Sequence, residues 1–312
     1  MGTILRIGTR ESQLAVWQAT QVKELLASHG FASELVYIKS EGDIDLVTPL
    51  YEMGVQGIFT RSLDIALLNN TIDIAVHSMK DVPTQLPEGI EQAAVLKRGA
   101  VKDLLVWKGD WSVVNGEWSI PGKAALQIAT SSIRRKAQWL NKFPSSHIHT
   151  LRGNVNTRLK KLQEENWDGA IFAAAGLERI NLRPEHSIEL DWMLPAPAQG
   201  AIMIVCREDD NSALDACIHF NDADTAFCTK IERDFLRALL GGCSTPISAY
   251  AEIKEDKIHF SGNIFSLDGT QKAEFETIIP VWEASDLGAD AAAELLKNGG
   301  QQIADIIRNA GK

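Results

Sequence analysis

The spacing of apolar positions along this chain changes several times, and each change marks an element. Residues 4–8 alternate as a strand does, residues 12–28 carry Leu14, Val22, Leu25 and Leu26 at helical spacing, and residues 33–38 return to strand. A glycine-containing loop over 39–57 is expected next, then a helix over 59–69 and a buried strand over 73–77. Strand, helix and strand in alternation imply a parallel sheet.

A second unit of the same kind begins near Asp103. Strands are expected at 104–107, 127–129, 147–151 and 169–173, with helices over 132–141 and 155–165. The stretch 108–118 reads as an exposed, insertion-like loop. After Asp222 the grammar changes: a helix to Leu240, three strand-like runs (247–253, 257–264 and 272–279), then a final helix over 289–309. Strands grouped between helices predict a small α+β domain.

Length and composition agree with this division. A chain of 312 residues with 45% hydrophobic positions has enough apolar surface for two to three packed domains. The amino terminus enters a strand without an apolar leader, and the uncharged stretch 192–206 is broken by Pro195 and Pro197, so a cytoplasmic protein is expected. Four dispersed cysteines without a C-x-x-C pair argue against disulfides and structural zinc, and the histidines form no closed metal set. Neither half carries a G-x-G-x-x-G or P-loop signature, which leaves nucleotide binding unsupported.

Charge alters the picture. The net charge of −10 argues against a nucleic-acid partner, yet between Glu117 and Glu164 there is no acidic residue, while Lys123, Arg134, Arg135, Lys136, Lys142, Arg152, Arg158, Lys160 and Lys161 fall there. A cationic region inside an acidic protein points to a polyanionic small molecule. Arg134 and Arg135 follow the capping run Thr130-Ser131-Ser132, so they occupy a first helical turn, where the macrodipole disfavours cations by roughly 0.3–1 kcal/mol each. Stability alone does not select them; a bound carboxylate does. Arg152 and Arg158 flank a Gly-Asn turn that opens the next helix. Asp81, at the end of the strand over 73–77, reads by itself as a turn former, and among arginines its carboxyl is expected to be held down as an ionised stabiliser of positive charge. Cys243 follows Gly241-Gly242 at the end of a helix, a turn position open to a reactive thiol.

These runs resemble the porphobilinogen deaminase family over essentially the whole chain. The similarity is carried by Thr9-Arg10-Glu11-Ser12-Gln13-Leu14-Ala15, residues 77–83, 130–135 and 151–158, Ala174-Ala175-Gly176-Leu177-Glu178-Arg179, Pro197-Ala198-Gln199-Gly200-Ala201, and Gly241-Gly242-Cys243. The resemblance implies a transferase of porphyrin (haem) biosynthesis that joins four porphobilinogens head to tail, with loss of ammonia, into hydroxymethylbilane. The chain grows on a dipyrromethane cofactor held by a thioether to Cys243. It implies Asp81 as the catalytic residue; Lys80, Ser131, Arg134 and Arg135 at the cofactor; and Arg10, Ser12, Phe59, Arg152, Arg158 and Arg179 at the substrate. Each pyrrole bears an acetate and a propionate, which gives the cationic stretch its purpose.

The fold implied is two α/β domains similar to periplasmic binding proteins, 1–98 with 198–218 and 103–196, plus an α+β domain over 221–312 that presents the cysteine. A monomer is expected. The chain departs from the family in carrying Gln56 where a lysine is usual and Ser62 in place of an acid. The competing expectation is a non-catalytic carboxylate-binding module on the same two-domain frame, which would need the arginines but neither Asp81 nor Cys243.

Overall fold

The computed structural model describes residues 4–39, 60–109, 111–114, 117–119, 123–239 and 245–310. Its first sheet contains β1 (Leu5–Thr9), β2 (Ser33–Tyr37), β3 (Ile74–Ser78) and β4 (Ile90–Val95). Helix α1 (Gln13–Ser28) joins β1 to β2, and α2 (Arg61–Leu68) precedes β3. The second sheet is built from β5 (Asp103–Trp107), β8 (Gln127–Ala129), β9 (His147–His149), β10 (Gly169–Ala173) and β11 (Ser187–Glu189). Between β5 and β8 stands a hairpin, β6 (Ser112–Val114) with β7 (Glu117–Ser119), where the sequence suggested only an exposed loop. Helices α3 (Ile133–Lys142), α4 (Val155–Glu164) and α5 (Ala174–Glu178) follow β8, β9 and β10.

The chain then returns to the first sheet. Strand β12 (Ile202–Arg207) runs antiparallel between β3 and β4, giving the order β2-β1-β3-β12-β4. The second sheet, β11-β5-β10-β8-β9, likewise has β5 antiparallel to both neighbours. Both sheets are therefore mixed rather than purely parallel. Helix α6 (Asn211–Ile218) leads to the long α7 (Ala223–Leu239). Beyond it, β13 (Ile247–Lys254), β14 (Lys257–Phe265) and β15 (Lys272–Pro280) form an antiparallel sheet. The expected final helix is two, α8 (Leu287–Leu295) and α9 (Gln301–Ala310), because Gly299 takes φ 99° and interrupts the helical path.

Apolar runs in the central strands are buried on both faces. Ile74, Val76, Ile204 and Cys206 pack toward Val22 and Leu26 of α1, while Ala75, Met203 and Val205 pack toward Leu63 and Leu67 of α2. Each fully buried Leu or Ile contributes roughly 1.5–3 kcal/mol, and this two-sided burial fixes the register of the strands that end at the site.

Two chain crossings link the sheets, and they touch: Gly99 N donates to Gly200 O at 3.0 Å. Gly200 has φ 87°, and a Cβ there would lie 2.8 Å from the carbonyl oxygens of Gly99 and Ala100, so only glycine suits the crossing. Helix α7 braces it. Glu232, fully buried, accepts from Ala198 N (2.6 Å), Ala251 N (2.8 Å) and the Arg98 guanidinium (2.6 and 3.0 Å). Its neighbour Arg233 donates to Val82 O (2.9 Å) and Pro83 O (2.5 Å), tying α7 to the turn after β3.

Candidate active site

Strand β3 ends in a single helical turn, Met79–Asp81, that delivers Lys80 and Asp81 beyond the sheet edge. The turns after β8 and β9 arrive beside it. Ser132 caps α3 by accepting from Arg135 N at 3.4 Å, and Asn154 caps α4 by accepting from Thr157 N at 2.9 Å. Ser131 Oγ accepts from Leu151 N at 2.9 Å and so joins the two turns. Gly153 takes φ 110°, reversing the chain just before α4. Ligand sites at the carboxyl ends of parallel strands are the general expectation for open α/β sheets.

The charged side chains converge here. Arg134, Arg135 and Arg152 are buried, while Lys80, Asp81 and Arg158 are half-buried. Burial and the nearby Arg135 pull the Lys80 amine down to about 8, with Asp81 and Asp103 opposing that fall. Burial, Arg135 and Arg152 likewise lower Arg158 to about 10, against the pull of Asp81. Asp81 thus stands within electrostatic reach of Lys80 and Arg158.

At the centre lies a residue that the sequence reading passed over. Asp103, wholly buried at the start of β5, accepts from Arg134 Nη2 (2.7 Å), Arg135 Nε (3.0 Å), Arg135 Nη2 (2.7 Å) and Gln199 Nε2 (3.0 Å). Arg134 and Arg135 overcome the cost of its burial and hold its carboxyl down at about 2. Gln199 turns its Oε1 to Lys80 Nζ at 3.2 Å. The expectation that stability alone would not select Arg134 and Arg135 therefore needs qualifying: an internal carboxylate is shared by both and offsets part of their charge, and Arg134 donates further to Leu194 O and Arg135 to Ile171 O. A lone Asp ahead of an apolar strand carries no such signal in sequence. Gln199 lies in the 197–201 run that carried the resemblance but had no role assigned to it.

The remaining candidates divide. Arg10 follows β1 and acts on His77 of β3, whose imidazole is driven to about 3 by burial first and Arg10 second. Ser12 caps α1, its Oγ accepting from Ala15 N at 3.4 Å, and Gln18 on the same helix donates to Ser78 Oγ at 2.8 Å beside the Asp81 turn. Arg179 stands apart at the crossings. Its Nη2 donates to Gly200 O at 2.6 Å, its guanidinium carbon lies 5.7 Å from the Trp17 ring centroid, and it lines a groove of about 560 Å³ with Trp17, Gly99 and Phe220. Phe59, Cys243 and Gln56 lie outside the described residues. Among the described residues no three or more His, Cys, Asp or Glu group as a metal site would require, and no helix is long and apolar enough to cross a membrane.

Among the described residues, five cations, Lys80, Arg134, Arg135, Arg152 and Arg158, thus share this space with two carboxylates, Asp81 and Asp103. Like charges gathered in a partly buried space repel one another, so the arrangement favours an anion of several charges. A dipyrromethane, with four carboxylates and two pyrrole N–H groups, fits cations gathered around a carboxylate.

Fold and site together define a two-sheet α/β protein with a polycarboxylate site at its strand ends. Residues 5–215 match the model of the porphobilinogen deaminase dipyrromethane cofactor-binding domain, and residues 226–297 match that of the porphobilinogen deaminase C-terminal domain. The chain is 41% identical over 303 residues to a porphobilinogen deaminase of Geobacter metallireducens, covering 96% of this chain and 93% of that one. It is 40% identical over 307 residues to one of Pelobacter propionicus, covering 97% of each. Among solved structures, an ancestral cationic amino acid solute-binding protein matches at 14% identity and a TM-score of 0.41, over 70% of this chain and 87% of that one. The chain belongs to the porphobilinogen deaminase family.

Proposed function

We propose that the chain is a transferase that condenses four porphobilinogen molecules head to tail, with release of ammonia, into hydroxymethylbilane. The observation that carries the reading is the convergence of Lys80, Arg134, Arg135, Arg152 and Arg158 with Asp81 at the strand ends. When bound, a dipyrromethane on Cys243 supplies the free pyrrole α-carbon to which the first substrate is joined.

Lys80, Ser131, Arg134 and Arg135 hold carboxylates of that primer, and Arg10, Ser12, Phe59, Arg152 and Arg158 serve the incoming porphobilinogen, while Arg179, expected with them, stands apart at the crossings. Arg152, on the turn that Ser131 joins to the start of α3, and Arg158, in the α4 that follows, would take the substrate's acetate and propionate by charge-assisted hydrogen bonds. Asp81 accepts the substrate's pyrrole N–H. As the aminomethyl C–N bond breaks and ammonia leaves with the electron pair, positive charge spreads onto that nitrogen. A fixed carboxylate at hydrogen-bond distance stabilises it, an effect worth roughly 3–4 kcal/mol where such a donor or acceptor has been removed from other enzymes. Asp81 would also receive the proton released as the new carbon–carbon bond forms. The low-lying Lys80 amine remains a cation below about pH 8, so its grip on carboxylates weakens above that value.

The reading includes three domains, 1–98 with 198–218, 103–196 and 221–312, and a monomeric cytoplasmic enzyme. A solute-binding module would need neither Asp81 nor Cys243. The test is the intact mass of the denatured protein, wild type and Asp81→Ala, with peptide mapping and porphobilinogen consumption measured on the same samples. Two linked pyrrole units on the Cys243 peptide of both proteins, with turnover reduced at least a hundredfold in Asp81→Ala, is the expected result. A wild-type chain that stays unmodified after incubation with porphobilinogen would overturn the proposal.

A further inference from the structure

The cations of the site do not wait in isolation for a ligand: one carboxylate already lies among them. Asp103 is fully buried, and each of its oxygens is engaged. Oδ2 accepts from Arg134; Oδ1 accepts twice from Arg135 and once from Gln199, whose other end meets Lys80. Consecutive residues on a helix project about 100° apart, and two guanidinium groups brought together in a low-dielectric interior repel each other. A common anion between them removes both obstacles.

We infer that Asp103 is a positioning residue. It aims Arg134 and Arg135 directly and Lys80 through Gln199, and it sets the number of ligand carboxylates that the site can accept. This rests on the deaminase reading. Asp103 lies inside the wall, behind the arginines, and its role is exercised through them rather than by touching a reacting atom.

Three features support this. The carboxylate has no exposure to solvent, so it is a fixed part of the site and not a mobile counterion. Its strand is held from both sides: Asp103 pairs in register with Ala173 of β10, and Leu190 N donates to its carbonyl at 2.9 Å. Finally, Gln199 Nε2 also donates to Val101 O at 2.7 Å, which fixes the amide so that its oxygen faces Lys80. The charged groups acting on Lys80 are Asp81 from its own turn, Arg134 and Arg135 from α3, and Asp103 from β5.

The test is Asp103→Asn in the full-length chain, which keeps the shape and removes the charge. The pH midpoint for acylation of the Lys80 amine is read by peptide mass mapping without porphobilinogen present, and folding is checked by circular dichroism. With its anionic partner gone and the arginines still beside it, Lys80 is expected to titrate at least about half a pH unit below the wild-type value of about 8. The rate at which porphobilinogen adds two pyrrole units to Cys243 is expected to fall tenfold or more.

A purely structural role would loosen the site, hydrate Lys80 and move its midpoint up toward about 10.4, the ordinary value for lysine. Either that rise or an unchanged midpoint overturns the inference. Should Asp103→Asn fail to fold, Gln199→Met breaks the link between Asp103 and Lys80, together with the amide's bond to Val101 O, and leaves the Arg134 and Arg135 contacts to Asp103 in place. A lowered Lys80 midpoint in that variant supports the relay, and a wild-type midpoint refutes it. A wild-type chain that never gains pyrrole mass would defeat the deaminase reading, while the Lys80 titration would still decide the role of Asp103.

Discussion

His77 shows how far burial alone can move a side chain. It lies four residues before Asp81 on a strand buried on both faces, and its imidazole stays neutral down to about pH 3. Unfolded histidine takes up its proton near pH 6.5. As pH falls from about 6.5 toward 3, the unfolded chain therefore binds a proton that the folded chain refuses, and stability drops by up to about 1.4 kcal/mol per pH unit from this one group. Asp103 adds a loss of its own only below about pH 4, where the unfolded carboxyl is protonated and the folded one, at about 2, is not. Urea denaturation of wild type and His77→Gln at pH 7 and pH 5 separates the two: the pH 7 to 5 loss is expected to shrink markedly in the variant. An equal loss in both proteins would remove His77 from the account.

At the scale of elements, α7 serves as the brace between the crossings and the Asp81 turn. Glu232 and Arg233 sit side by side near its middle, the first gripping Arg98, Ala198 and Ala251, the second gripping Val82 and Pro83. Removing the charge of Glu232 leaves the Arg98 guanidinium largely buried and uncompensated, a defect that typically costs 3–5 kcal/mol. Glu232→Gln is thus expected to lower the denaturation midpoint sharply, whereas Lys230→Gln, at an exposed end of an i,i+4 pair with Asp234, should change stability by less than about 1 kcal/mol. Comparable losses in the two variants would contradict the assignment of α7 as a brace.

Elements with a clear period were legible in sequence: α1, α3, α4 and the three C-terminal strands are found within a few residues of their expected limits. What escaped lacked a local signature. Strand β4, although Pro87-Glu88-Gly89 precedes it, is a short run whose alternation is broken by Glu91 and Gln92, and β11 spans only three residues. The mixed character of both sheets depends on pairing partners remote in sequence, as when Met203 of β12 stands opposite His77 of β3. The candidate site was legible through its arginines, because basic residues in a first helical turn are conspicuous, and Asp81 was legible as a carboxylate at a strand end, its catalytic role coming only from the family resemblance. Asp103 was illegible because its meaning comes from contacts 31 and 32 residues away with Arg134 and Arg135, and 96 residues away with Gln199.

For the whole molecule, the charge at the site is opposite in sign to the net charge. A chain of net charge −10 gathers at its strand ends a site in which, among the described residues, cations outnumber carboxylates. The long-range field that a ligand meets in solution therefore repels anions, although the pocket attracts them at short range. Porphobilinogen, with two carboxylates and an ammonium, feels little of that repulsion. The product of four condensations carries eight carboxylates and has lost its ammonium groups, so it is pushed outward much harder once it leaves the pocket wall. The protein's exterior becomes a one-way valve whose strength grows with the length of what it has made. Added salt would weaken it, since the Debye length shrinks from about 30 Å at 0.01 M to about 8 Å at 0.15 M. Stopped-flow measurements across that range should find hydroxymethylbilane leaving more slowly as salt rises while porphobilinogen capture changes little; a product release rate indifferent to salt would show that the exterior charge plays no part.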